Sequence, residues 1–249
     1  MLQFTWITVL VCTVYSAHTI TAQLALDFEK CPFGDSACHV NVVNLLLKKA
    51  KTGARELNLI PFDPLRVKSL KINPNTKSPI NIEISFKNIE IIGLQNLQNI
   101  KVDGFTHDVQ GPILLEGTLP QAIIRGPYQG GGTVLGLPFK GSGKCEIVLK
   151  NIKLTAKLNG KLVTKGADRY LTFKDISLAI SDPENVHFQF GGLFDGNKDL
   201  SDTAHAFLNE NWKEIFRELR PAWQEAFAKI LEGFSKNVFI KPYDWYFKQ

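Results

Sequence analysis

The sequence predicts an α+β fold in which a highly curved antiparallel β-sheet is wrapped around one long C-terminal α-helix. Three observations carry that expectation. From Asp202 to Phe239 the apolar residues recur at helical spacing: Leu208, Trp212, Ile215, Leu219, Trp223, Ala226, Ile230 and Phe234 fall in one stripe, with Phe216 and Phe227 at its edge. Upstream, period-two alternation dominates, most clearly Ile80, Ile82, Ile84 and Phe86 against Asn81, Glu83, Ser85 and Lys87. No repeat, low-complexity tract or Ser/Pro-rich linker divides strands from helix, so both belong to one domain. At about 1.5 Å per residue the helix would be on the order of 55 Å long. A helix of that length needs an extended surface to lie against.

Taken in order, the chain opens with residues 1–22, which contain no Lys, Arg, Asp or Glu, and Phe4 to Tyr15 is an apolar run of signal-peptide length. Cleavage after Ala22 would leave residues 23–249 as a single secreted, extracellular domain. Nothing later approaches the ~20 consecutive apolar residues of a membrane-spanning helix. Cys12 leaves with the signal, and Cys31 and Cys38 bracket a short Pro- and Gly-containing loop. In an oxidising compartment that spacing reads as a local disulfide. A zinc site is the rival, but only His39 lies near these cysteines, and no metal site is expected. Cys145 remains as a small buried side chain.

Ala37 to Lys51 reads as a short amphipathic helix with Gly53 as its C-cap. The Leu59-IPFDPLRVKSL stretch is extended, because Pro61 and Pro64 forbid a helix. After the strand at Ile80, the alternation resumes in the opposite phase at Ile89 and Ile91, which predicts a bulge near Asn88. Pro112 to Leu137 is extended and Gly-rich. Gly141-Ser142-Gly143-Lys144 reads as a turn between strands, and Asn159-Gly160 as a hairpin turn after the Ile152–Leu158 strand. Leu171-TFKDISLAI and Val186-HFQF complete the strands. Asp199, Ser201 and Asp202 offer N-caps for the long helix, and Pro221 should kink it or split it in two.

Composition excludes more than it assigns. The net charge is +5, but the lysines from Lys140 to Lys165 are spaced along strands, as on a solvated outer sheet face. Nucleic acid is not an expected partner; weak attraction to an anionic membrane surface is the secondary reading of that charge. The Gly141–Lys144 segment lacks phosphate-loop spacing and is followed by Cys145. Gly130–Gly136 is not a dinucleotide fingerprint, and neither a G-x-S-x-G elbow nor an H-E-x-x-H helix occurs. No enzyme and no cofactor are expected. What remains is excess aromatic material on the helix and strands. A sheet rolled around so long a helix encloses volume that side chains need not fill, the usual form of a hydrophobic-ligand site.

These features together resemble the insect takeout proteins and their relatives, the haemolymph juvenile-hormone-binding proteins. The resemblance rests on Cys31-x6-Cys38, Ile60-PFDPLRV, Phe86-KNIEIIGL and Gly126-PYQGGGTVLGLPFKGSGKC. Its most specific part is the tail from Gly191-GLFDGNKDLSDTAHAF to Lys241-PYDWYF. It covers essentially the whole mature chain. It implies a super-roll of the lipid-binding type with an internal apolar tunnel, and a function of carrying small lipophilic molecules without catalysis. Classical juvenile-hormone binders carry a second disulfide, for which Cys145 has no evident partner, so the takeout branch fits better.

The resulting expectation is a secreted, monomeric carrier of an elongated hydrophobic ligand: a terpenoid, juvenile-hormone-like or fatty-acid-like molecule. Its tunnel wall is assigned to Trp212, Phe216, Trp223, Phe227 and Ile230 from the helix, and to Tyr128, Leu137, Phe139 and Phe190 from the sheet. The alternative is a signalling or interaction protein that uses a receptor-facing surface, with a tunnel that is only structurally filled.

Overall fold

The computed structural model describes residues 29–248; the expected signal peptide lies outside them. Seven strands form one antiparallel sheet: β1 (Leu65–Ile72), β2 (Ile80–Ile92), β3 (Gln98–Asp103), β4 (Ile113–Val134), β5 (Leu137–Lys165), β6 (Asp168–Ile180) and β7 (Asn185–Phe190). The order is β1-β2-β4-β5-β6, with β3 also on β4 and β7 also on β5. Helix α1 (Ser36–Lys49) precedes the sheet, and α2 (Lys198–Glu210) and α3 (Trp212–Val238) follow it.

Strand length dictates curvature. The 29 residues of β5 would span about 95 Å if straight, far more than the width of a domain this size. Left-handed residues interrupt the regular backbone of these strands. Asn88, Asn99 and Asn151 have φ of 50°, 52° and 51°, and Asn tolerates this region better than other non-glycine residues. The β2–β4 register slips between Phe86 and Glu90, which is the bulge expected at Asn88. Gly132, at φ 136°, lies so close to β2 that a Cβ would sit 2.2 Å from the Asn81 carbonyl oxygen.

The turns differ from expectation in two places. Gly141–Lys144 lies inside β5, paired with Tyr128–Gly130 and Pro127 of β4, and Asn159-Gly160 is a bulge within the same strand. The chain reverses instead at Leu135-Gly136 and at Gly166-Ala167, both two-residue loops. Leu135 and Gly136 have φ of 49° and 83°, the paired positive values that match the twist of a tight hairpin. The Asn-Gly signal is therefore satisfied by a strand irregularity. The lysines Lys140, Lys144, Lys150, Lys153, Lys157, Lys161 and Lys165 are all exposed on β5, as a solvated face requires.

The helices also correct the expectation. The N-cap of α2 is Asn197, whose side chain accepts from the Leu200 amide. The break in the long helix comes at Asn211, not at Pro221, which lies inside α3. Asn211 has φ −99° and ψ 18°, and its side-chain amide donates to the Phe207 carbonyl at 2.8 Å, competing with the helical ladder. α1 is capped by Asp35, which accepts from the Cys38 amide at 2.9 Å, and the C-cap is Ala50 rather than Gly53.

α3 lies in the concave face of the sheet. Ile215, Phe216, Leu219 and Trp223 are buried against Phe86, Ile124, Ile147, Leu149 and Phe188 in the main core. α2 closes the edge of β7: Asn209 accepts from the Phe188 amide at 2.7 Å and donates to its carbonyl, and His205 Nε2 accepts from the Phe190 amide at 2.9 Å. These contacts pair backbone groups that a sheet edge would otherwise leave open. A second cluster around Ile113, Leu158, Tyr243 and Phe247 packs the C-terminal segment onto the far end of β5 and β6.

Candidate functional site

Between α3 and the sheet the side chains leave a cavity of about 410 Å³, within the range of small-molecule sites. The helical wall is built by Phe216, Leu219, Trp223, Phe227, Ile230, Leu231 and Phe234, which recur at three- and four-residue spacing along one face of α3. Trp223 and Phe227 stack with ring centroids 5.7 Å apart, and Trp223 leans on Phe86 at 6.0 Å. α1 contributes Val43, Leu46 and Leu47. The sheet contributes inward-facing aliphatics, among them Ile91, Leu119, Ile124, Ile147, Leu149 and Ile152, with Phe188.

Among the described residues, Glu116 is the one ionisable residue on this wall. It lies between the inward Leu115 and Gly117, and its carboxylate pairs on the outer face with Lys101 at 3.4 Å and Lys153 at 3.6 Å. The hydrogen bond and charge of Lys101, reinforced by the charge of Lys153, hold it below the usual carboxylate range. The interior therefore presents hydrocarbon and aromatic faces and no charged anchor. Such a surface gains by covering apolar area and discriminates against groups that must stay hydrated.

The structure places Phe216, Trp223, Phe227 and Ile230 on the cavity wall and sets the other expected residues apart from it. Trp212 opens α3, half-buried, with Lys213 over its ring at 5.6 Å. Tyr128, Phe139 and Phe190 interlock as a packed aromatic triad, the Tyr128–Phe190 centroids lying 4.9 Å apart, and Leu137 packs partly buried against the main core. Tyr128 donates to the Gly191 carbonyl at 3.0 Å, and burial pushes its phenol up to about 12. These residues fill one end of the roll near the β4–β5 turn, whereas the space opens beside the aliphatic middle of the sheet. The α1 wall was missed by sequence reading, although the Val42-Val43-x-Leu45-Leu46-Leu47 pattern carries more apolar residues than so short a helix needs to dock.

Cys31 and Cys38 are bonded, tying the segment before α1 to its first turns. Cys145 is free and buried, and burial pushes its thiol up to about 11. No described helix is long and apolar enough to cross a membrane.

The sequence model of the haemolymph juvenile hormone binding protein family matches residues 7–247. The chain belongs to that family. Takeout 1 of Epiphyas postvittana superposes on this member with a TM-score of 0.73 at 26% identity, over 86% of this chain and 96% of that one. The circadian clock-controlled protein daywake of Drosophila melanogaster is 24% identical over 227 residues, spanning 89% of this chain and 87% of its own. Its Drosophila yakuba counterpart is 24% identical over 240 residues, spanning 93% and 92%. The resemblance drawn from the residues thus holds over residues 7–247. The fold is the family's super-roll, and the family is one of binding proteins.

Proposed function

We propose that this family member is a secreted, non-enzymatic carrier that holds one small, elongated, uncharged lipophile in a tunnel between α3 and the sheet. The observation that carries the reading is the cavity itself, about 410 Å³ lined almost wholly by apolar side chains. A merely structural core would close that space, since interiors pack to crystal-like density. Membership of a family named for binding a hormone supports the same class of ligand. Each buried methylene contributes about 0.8 kcal/mol, so about ten would offset the roughly 8 kcal/mol of micromolar binding without a polar anchor. Phe216, Trp223, Phe227 and Ile230 are the proposed helical contacts, joined by Leu46 and Leu47 of α1.

Charge sets the specificity. An ionised carboxylate drawn into this cavity would lose its hydration with no cation to receive it, at a cost of several kcal/mol. The test is displacement of a fluorescent apolar probe by a long-chain methyl ester and by the free acid of the same length. The ester should compete at least roughly ten-fold better at neutral pH, and the acid should gain as the pH approaches its own pKa. Equal or tighter binding of the acid at neutral pH would overturn the uncharged-ligand reading.

A further inference from the structure

Large apolar side chains are exposed at few positions in the described residues, and three of them lie on segments that converge on the C-terminal end of α3: Ile60 is 42% exposed, Ile240 51% and Trp245 37%. Hydrogen bonds hold these segments to one another. Asn58 donates to the Asn237 carbonyl at 2.7 Å, linking the loop of Ile60 to the end of α3. Tyr246 donates to the Val238 carbonyl and accepts from the Lys241 amide at 3.0 Å, folding the segment that carries Trp245 back onto the end of α3. Cations surround them: Lys30 lies 4.7 Å from the centre of the Trp245 ring, and Lys51 and Lys241 are exposed nearby. The Lys51 carbonyl accepts from the Phe62 amide at 3.0 Å, which sets this lysine beside the Ile60 loop.

We infer that this end of the molecule docks on the surface of an anionic lipid bilayer, with Trp245 and Ile240 entering the interface and Lys30, Lys51 and Lys241 meeting lipid phosphates. An indole beside lysines on an otherwise polar surface suits the headgroup boundary, where one side of the ring is apolar and the other wet. The lysines supply the charge complementarity that an anionic leaflet requires. The position also has a consequence for transfer. Phe62 and Leu59 on the loop side, and Phe234 at the end of α3, line the cavity just beneath this patch. A lipophile could therefore pass between cavity and bilayer over a short apolar path. The docking concerns the surface alone and does not depend on the cavity being filled.

The test is flotation of the ligand-free mature protein with vesicles of phosphatidylcholine, and of phosphatidylcholine with phosphatidylserine, at low and high salt. The wild type should float with the anionic vesicles and less so at high salt. I240S/W245S should lower that fraction by roughly ten-fold, and K30Q/K241Q should lower it only on anionic vesicles. Ile60→Ser serves as a third, independent surface variant, with thermal melting as the check on folding. Three results would overturn the inference: no flotation of the wild type, undiminished flotation of the folded variants, or a vesicle-independent dimer that the apolar substitutions dissolve, which would make a second copy the occupant.

Discussion

His39 stands in α1 with 8% of its surface exposed and its ring edge-on to Phe105 and Phe247, at 5.4 and 5.8 Å. Among the described residues neither ring nitrogen finds a hydrogen-bond partner. Burial pulls its pKa below the ordinary 6.5, and the nearby charges of Asp35 and Asp103 only partly oppose this. The folded state therefore prefers the neutral ring, while the unfolded chain takes up its proton near the ordinary value. Its contribution to stability is intact above about pH 6.5 and is lost as the pH falls from there through the lowered folded value. The melting temperature of the wild type should drop more between neutral and mildly acid pH than that of His39→Leu; identical pH profiles would remove His39 from the account. Cys145 gives a second residue-level expectation. The residue is 4% exposed and burial raises its thiol pKa to about 11, so iodoacetamide should leave the native protein unlabelled at pH 8 and label it after unfolding. Rapid labelling of the native protein would contradict its burial. Both burials follow from local environment, yet only that of Cys145 was legible in the sequence. An odd cysteine in an oxidising compartment points to a packed thiol. His39 sits beside a polar N-cap and gives no such sign.

Among the elements, α3 sets the harder test of how a proline is read. Pro221 removes one amide donor from the helix interior, yet the helix runs through it and breaks at Asn211 instead. Packing explains the difference. Leu219 and Trp223, on either side of the proline, are both buried in the sheet's concave face and hold that turn helical, whereas the Asn211 side chain offers the Phe207 carbonyl a competing donor. Pro221→Ala restores a backbone hydrogen bond and should raise the melting temperature by about 2–4 °C for each kcal/mol recovered. A fall in melting temperature would contradict this reading of the proline. The strands taught a similar lesson. Alternation at Ile80–Phe86 and the phase change at Asn88 located β2 and its bulge correctly. The Asn159-Gly160 pair looked like a hairpin because nothing local distinguishes a turn from an irregularity in a strand 29 residues long. The true reversal at Leu135-Gly136 depends on a leucine at positive φ, which pairing along the whole β4–β5 ribbon imposes and propensity does not reveal.

At the scale of the whole molecule, the curved sheet and the helix within it were readable from two periodicities, but the position of the unfilled space was not. Aromatic side chains guided the expectation: on α3, Phe216, Trp223, Phe227 and Ile230 border the cavity, whereas Trp212 of the same stripe does not. On the sheet the same reasoning led to Tyr128, Phe139 and Phe190, which fill their end of the roll because they are large. The cavity opens where inward positions are aliphatic or small. Ala122 is such a position, 5% exposed and on the wall. Ala122→Phe should occupy the space, keep the fold, and weaken ligand binding by at least roughly ten-fold in probe titrations; unchanged affinity would place the ligand elsewhere. The most direct measurement is native mass spectrometry of the protein secreted from insect cells, followed by organic extraction. The account predicts a single co-purifying uncharged lipophile of defined mass, absent from Ala122→Phe. A folded wild-type protein that arrives empty and ignores a panel of terpenoids and fatty esters would contradict it.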